Sequence, residues 1–205
     1  MNVRARGIRA TVAVLAAAAG VAVAAVPATA DTADSGTPRF LEPGELPPHP
    51  ASPWYAGPVT AGQPDPLPVC AGEALPSTAT HRPYRTEYDT GALQVTVVER
   101  DRQRARDFAA LLRKDLADCA KKLMKQDPDL TATVKSYGGL NVEEGAHVYG
   151  LHTASAWGSS DIHLFSVGRD DRTVTVVQWG QMGTFEDARV ADFRRTTVTA
   201  VDKLY

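Results

Sequence analysis

The side chains able to perform acid–base, nucleophilic or metal chemistry are few in this sequence, and their spacing is weighed first. Three of the five histidines, His147, His152 and His163, stand close together, and Ser159-Ser160-Asp161 lies just before the last of them. A serine hydrolase requires a positioned nucleophile, a base and an orienting acid. The sequence contains no G-x-S-x-G turn to expose such a serine, and Gly158-Ser159-Ser160 reads as a hairpin turn leading into a strand. If segments 146–155 and 161–168 pair with residue 153 opposite 163, His152 and His163 point to opposite sheet faces. Zinc spacings such as H-E-x-x-H are absent, so neither a metal nor a cofactor is expected. Glu143-Glu144 and Asp170-Asp171 are acid pairs, each placed at a predicted turn. Glycoside hydrolysis needs two carboxylates facing each other at a defined separation. Gly138-Gly139 lacks the helix and lysine of a phosphate loop. No catalytic residue is assigned.

Cys70 and Cys119 are the only cysteines. No C-x-x-C redox spacing exists, and Cys119 falls on the apolar side of a predicted helix. An even count in an exported chain predicts a structural disulfide closing a loop of about 50 residues.

Export is read from the first 30 residues. Arg4, Arg6 and Arg9 precede an Ala/Val-rich run over 10–26, and Ala28-Thr29-Ala30 gives small residues at both positions of a cleavage site after Ala30. The run is too short and too Ala-rich for a stable span, and no cysteine near the cut offers a lipid anchor. The expectation is a secreted, extracellular or cell-wall-associated protein with no stable membrane anchor after cleavage. Cleavage moves the net charge from −2 to −5, while residues 69–205, with 18 basic and 19 acidic side chains, are close to neutral. That balance does not fit a nucleic-acid partner.

Residues 31–68 hold ten of the 14 prolines and are expected to form an extended, solvated arm, with Trp54-Tyr55 as its one aromatic feature. Residues 69–205 are expected to form a single domain. Strands are predicted at 82–88 and 93–99, then at 131–137, 146–155, 161–168 and 172–180. A helix is predicted over 101–126, capped by Asp101, with Ala105, Phe108, Leu112, Leu116, Cys119 and Leu123 on one face. Its outer face is basic and reads as a solvated surface, a contact with an anionic cell-wall polymer being the alternative. A closing helix is predicted over 185–204, with Thr184 and Asp187 resembling a capping box. The order β-β-α-β-β-β-β-α implies an α+β fold with a six-stranded antiparallel sheet and two helices packed on one face.

Several strands are apolar on both faces, whereas an antiparallel sheet with one wet face alternates. The second face is expected to carry His163, Phe165, Thr173, Thr175, Val177 and Trp179. Such a surface suits a ligand groove, or a face covered by the arm, by a loop carrying Trp157, or by a second copy.

The element order resembles the PknH-like extracellular sensor domain family over residues 70–205. The matching pieces are Cys70 before the first strand, ALLRKDLADCAKKL with Cys119, the late strand RTVTVVQWG and the closing helix. The resemblance implies a disulfide-tied, exported α+β domain with a ligand-binding cleft and no catalytic residues. This sequence lacks the second disulfide common in that family.

Together these readings predict a secreted, sensor-like module of the cell envelope. His163, Phe165, Thr175, Trp179 and Trp157 are its candidate ligand-binding residues. Its expected partner is a small molecule, a cell-wall component or an envelope protein. Two alternatives are kept: a secreted hydrolase whose site carries no motif, and an interaction protein dimerising through the second sheet face.

Overall fold

The computed structural model describes residues 37–205. The predicted export segment, its cleavage at Ala30 and the start of the arm lie outside the described residues. The fold is α+β, built on one antiparallel sheet. Its strands are β1 (Tyr55–Ala56), β2 (Thr60–Ala61), β3 (Thr80–Arg85), β4 (Gly91–Val98), β5 (Leu130–Leu140), β6 (Ala146–Ser155), β7 (Ser160–Asp170) and β8 (Thr173–Met182). The helices are α1 (Arg102–Ala117), α2 (Cys119–Gln126) and α3 (Val190–Asp202). The strands run β1-β3-β4-β8-β7-β6-β5 across the sheet, and β2 also pairs with β3.

The six expected strands correspond to β3 through β8. The sheet nevertheless has eight strands, because two short pieces of the proline-rich arm pair with β3. Two-residue strands between prolines leave no alternation in the sequence to read. The helices number three among the described residues, since the predicted first helix is interrupted at Asp118. Asp101 caps α1 as expected, its carboxylate accepting from Arg104 N at 2.8 Å. The closing helix starts later than predicted. Asp187 accepts from Thr184 N at 2.8 Å and returns its own N–H to Thr184 O at 3.0 Å, so a tight turn replaces the first helical turn.

Packing two helices on one face is also corrected. Along β4, Val95 and Val97 join Phe165, Val167, Val174 and Val176 beneath Leu112, Leu116 and Cys119 of α1 and α2. The alternate positions Val177 and Trp179 of β8, with Ile162 and Leu164 of β7, lie on the other face with Phe193 and Ala200 of α3. Strands apolar on both sides need cover on both, and the two ends of the helical complement supply it. Gly168 permits the closest approach of α3, because a Cβ there would come within 2.3 Å of Val201 Cγ2.

Helix α3 does not cover its face alone. Phe40, Leu41, Leu46 and Trp54 of the arm are buried, and three of them join the α3-side cluster. The arm is therefore part of the core, not a solvated spacer. Its backbone is held by sheet side chains. Leu41 N donates to Gln94 Oε1 at 2.8 Å, and Leu41 O accepts from Tyr84 Oη at 2.8 Å and from Arg82 Nη1 at 3.0 Å. Trp54 Nε1 donates to Pro47 O at 2.7 Å, satisfying the indole inside the layer. The arm also meets α3, through Thr196 Oγ1 donating to Glu45 O at 2.6 Å and the Lys203–Glu45 ion pair at 2.6 Å.

Cys70 and Cys119 form the expected disulfide, fastening the end of the arm to the start of α2 across 49 positions of sequence. Replacing both by Ala is expected to cost about 4 kcal/mol of unfolding free energy in urea titration, because the bridge removes loop entropy from the unfolded chain. An unchanged midpoint would show that it imposes no such constraint. Leu41→Ala is expected to cost about 3 kcal/mol, the range for a buried leucine, whereas a residue on a solvated spacer would change stability by less than about 0.5 kcal/mol.

Candidate functional site

The register divides the predicted site residues between two faces. His163 of β7 lies opposite Gly180 of β8, and Phe165 lies opposite Gln178. Leu164 lies opposite Trp179, and Ala92 of β4 is the other neighbour of Trp179. His163 and Phe165 therefore share the α1 face, while Thr175 and Trp179 share the α3 face. The expectation that all four line one surface is corrected. Reading β7 and β8 in isolation leaves their relative phase open by one residue, and one residue exchanges the faces.

Trp179 and Phe165 are both core residues, each 1% exposed. Thr175 is equally buried, its hydroxyl donating to Val95 O at 3.3 Å and accepting from Gln94 Nε2 at 3.2 Å. Trp157 sits at the turn between β6 and β7, 88% exposed. The second face is covered by α3 and the arm, so Thr175 and Trp179 are core residues there.

His163 alone among the five candidates lines a cleft. This cavity of about 560 Å³ opens at the end of the α1 face, where β4, β8 and β7 run out from under the helices. No helix residue lines it. The proline-rich loop 64–69 forms one wall, and Leu93, His163, Gln178 and Gly180 of the three strands form the floor. Its volume falls in the range of about 300–1,000 Å³ typical of small-molecule sites. Gly180 is required at the floor. The imidazole lies across it, and a Cβ at that position would stand 2.3 Å from His163 Nδ1.

The polar atoms of this floor single the cleft out. Three buried side-chain polar atoms have no hydrogen-bond partner among the described residues: His163 Nδ1, Gln178 Oε1 and Ser166 Oγ. Two of the three belong to the same cleft floor. Burial pushes the His163 imidazole toward its neutral form, opposed by the nearby Asp161 carboxylate. Sequence reading reached His163 and missed Gln178 and the arm loop. The available signal was a polar residue breaking each of two otherwise apolar strands, Gln178 in VVQWG and His163 in DIHLF.

The other chemistry-bearing groups meet in different places. Ser136 Oγ and His147 Nε2 are 2.9 Å apart beside a β-bulge, and His152 Nε2 and Ser160 Oγ are also 2.9 Å apart. Ser160 donates its proton to Gly183 O at 3.0 Å, so His152 acts on it as donor, not as base. His147 has Arg113 as its charged neighbour; burial, then that cation, push its pKa down. Neither pair lines the cleft. His152 and His163 do point to opposite faces, although residue 151, not 153, lies opposite 163. No group of three or more His, Cys, Asp or Glu capable of holding a metal occurs among the described residues.

The two acid pairs do converge. Asp171 N donates to Glu144 Oε2 at 2.7 Å, Arg169 lies 3.9 Å from Glu144, and Arg102 pairs with Asp171. These contacts tie the β7–β8 turn to the loop before β6 and to α1. Asp170 bears the strain of that gathering. Burial, then the charges of Glu143 and Glu144, push its carboxyl up to about 6.

No family model matches this sequence, and no curated protein does. Among solved structures, a mutant form of the protein Mog1 is similar at a TM-score of 0.29 and 14% identity, covering 62% of this chain and 73% of that one. At that distance neither its fold nor its properties transfer to this chain. Among the described residues no helix is long and apolar enough to cross a membrane.

Because the folded pKa of Asp170 lies above that of the unfolded chain, the folded form binds this proton more tightly. Its contribution to stability is full below about pH 4 and is lost as pH rises through about 6. Asp170→Asn should therefore melt higher than the parent at pH 8, and at the same or a lower temperature at pH 4, in paired thermal scans.

Proposed function

We propose that this protein is a secreted, non-catalytic binding module of the cell envelope, and that it takes a small ligand in the cleft between the 64–69 loop and the β4-β8-β7 floor. The observation that carries the reading is the pair of buried, unpartnered polar atoms, His163 Nδ1 and Gln178 Oε1, beside one ligand-sized cavity. A buried polar atom without a partner costs about 1–3 kcal/mol, and a ligand that draws these side chains out toward the cleft would supply the partner and recover it. Secretion is supported by the Ala/Val-rich leader with its A-x-A site and by the Cys70–Cys119 disulfide. The sensor-like part of the proposal rests on the sequence resemblance of residues 70–205 to the PknH-like domains, which implies a disulfide-tied α+β fold, the type this chain adopts.

The test pairs stability with binding. Gln178→Met and His163→Phe keep shape while removing the polar atoms, so each should leave the protein as stable as the parent or stabilise it by about 1 kcal/mol. A fragment screen by amide chemical shifts should give hits that move Leu93 and Gly180 in the parent and disappear in both variants. Clear destabilisation by both variants, or hits confined to other surfaces, would remove the cleft as the site.

A further inference from the structure

Strand β5 ends the sheet, and half of its outer edge is left open. At the opposite margin the two short arm strands cover β3, whereas β5 pairs only with β6 among the described residues. The ladder gives the direction of each backbone group. Ala156 N donates to Asp129 O at 2.9 Å, and the same register continues through Thr131 opposite Ala154 and Thr133 opposite His152. Asp129, Thr131, Thr133 and Lys135 therefore turn their backbone toward β6, while Ala132 and Val134 aim their N–H and C=O groups outward. Those outward groups have no partner among the described residues. The far half of the strand is treated differently. A bulge interrupts it between Ser136 and Gly138, and Arg194 of α3 donates to Tyr137 O at 2.7 Å. Bulges and covered backbone groups keep an edge from pairing, and the stretch from Leu130 to Lys135 has neither.

The side chains of this open half are complementary to themselves. Ala132 and Val134 pack on the α1 side, while Thr131, Thr133 and Lys135 are exposed on the other, where alternation also places the exposed Asp129. Asp129 and Lys135 have no ion pair among the described residues; Lys135 Nζ lies over the rings of Tyr137 and Phe185, 5.3 and 5.9 Å from their centroids. Consider a second copy laid antiparallel about a two-fold axis at Ala132. Each Ala132 faces its own counterpart, Leu130 faces Val134, Thr131 faces Thr133, and Asp129 faces Lys135 of the other copy. Outward N–H groups then meet outward C=O groups, apolar side chains meet apolar ones, and the Asp129–Lys135 pair forms at both ends. An axis at Thr133 keeps the backbone match but sets Lys135 opposite Thr131 and loses both ion pairs. A peptide of unrelated sequence would find the same backbone without the charge match. We propose that two copies of this chain join through the open half of β5, antiparallel about Ala132, and continue the sheet from one copy into the other. The contact is isologous, so it uses both open edges and closes at the dimer.

The experiment is sedimentation equilibrium of the protein from about 1 μM to about 1 mM. A short edge buries little surface, so a reversible dimer with a Kd of about 10–100 μM is expected. Ala132→Pro removes only an outward N–H, a change that edge strands tolerate, so it should abolish the dimer and leave the thermal midpoint of the monomer unchanged. Lys135→Asp sets a carboxylate opposite Asp129 of the second copy, and Asp129→Lys sets an ammonium opposite Lys135; each should weaken the dimer about tenfold. The double variant exchanges the signs and restores both pairs, so its Kd should return to within about twofold of the parent. These charge variants leave the backbone intact and decide the matter even if Ala132→Pro fails to fold. A monomeric mass at about 1 mM would overturn the proposal. So would a folded Ala132→Pro variant that dimerises like the parent, or single charge variants that leave the Kd unchanged.

Discussion

A glutamine at the centre of the sheet sets the condition that the rest of the structure meets. Gln94 is wholly buried on β4, on the face that α3 only partly covers. A buried amide must be hydrogen-bonded at both ends, or it costs as much as a lost core residue. Thr175 takes the nitrogen end at 3.2 Å, and the backbone of Leu41, 53 residues earlier in the chain, supplies the partner for the oxygen at 2.8 Å. That single bond needs the arm to lie across the sheet. Once it does, Tyr84 and Arg82 receive the Leu41 carbonyl, and Leu41, Leu46 and Trp54 fill the space beside Phe193. The disulfide then fastens the other end of the arm to α2, so the segment before the first long strand is fixed at both faces of the sheet.

This arrangement also creates the cleft. With the arm committed to the α3 face over residues 40–54, the chain passes around the β1–β3 edge, and its 64–69 loop arrives on the α1 side. There it stands beyond the helices, over the ends of β4, β8 and β7. The space between loop and floor is left by two layers that meet the sheet from different directions. Polar side chains can persist at such a boundary, where an apolar residue would gain only partial burial. His163 Nδ1 and Gln178 Oε1 are left without partners there, at a cost in stability. Elsewhere most buried polar groups of the sheet are paired, as with Thr175 and Gln94, Ser166 Oγ being an exception.

The histidines, serines and acids that first suggest chemistry serve mainly to hold turns. Ser160 links His152 to Gly183 at the β6–β7 end, and Glu144 ties its loop to the β7–β8 turn through Asp171 and Arg169. In each case the groups are close because antiparallel hairpins bring their ends together. Among the described residues, the loop–floor site combines a cavity with side chains whose polar atoms the protein leaves unpaired.

Local patterns carried much of the fold. Alternation in LQVTVVE and in the strands from 131 to 180, the Asp101 cap and the i, i+4 stripe of α1 are nearest-neighbour properties, legible because each element's period depends on its own residues. The two-cysteine count determined the bridge for the same reason, since only one pairing exists. The apolar character of both strand faces likewise announced that both would be covered. Tertiary structure alone decided what covered them and which side chains shared a face. The phase of β7 against β8 is set by long-range pairing, and shifting it by one residue separates Phe165 and His163 from Trp179. The arm's role depends on Gln94 finding Leu41, a contact between segments whose own composition predicts only an extended, proline-rich chain. The cleft is decided last of all, because it belongs to no element and exists only where the loop, the sheet end and the limits of the helices meet.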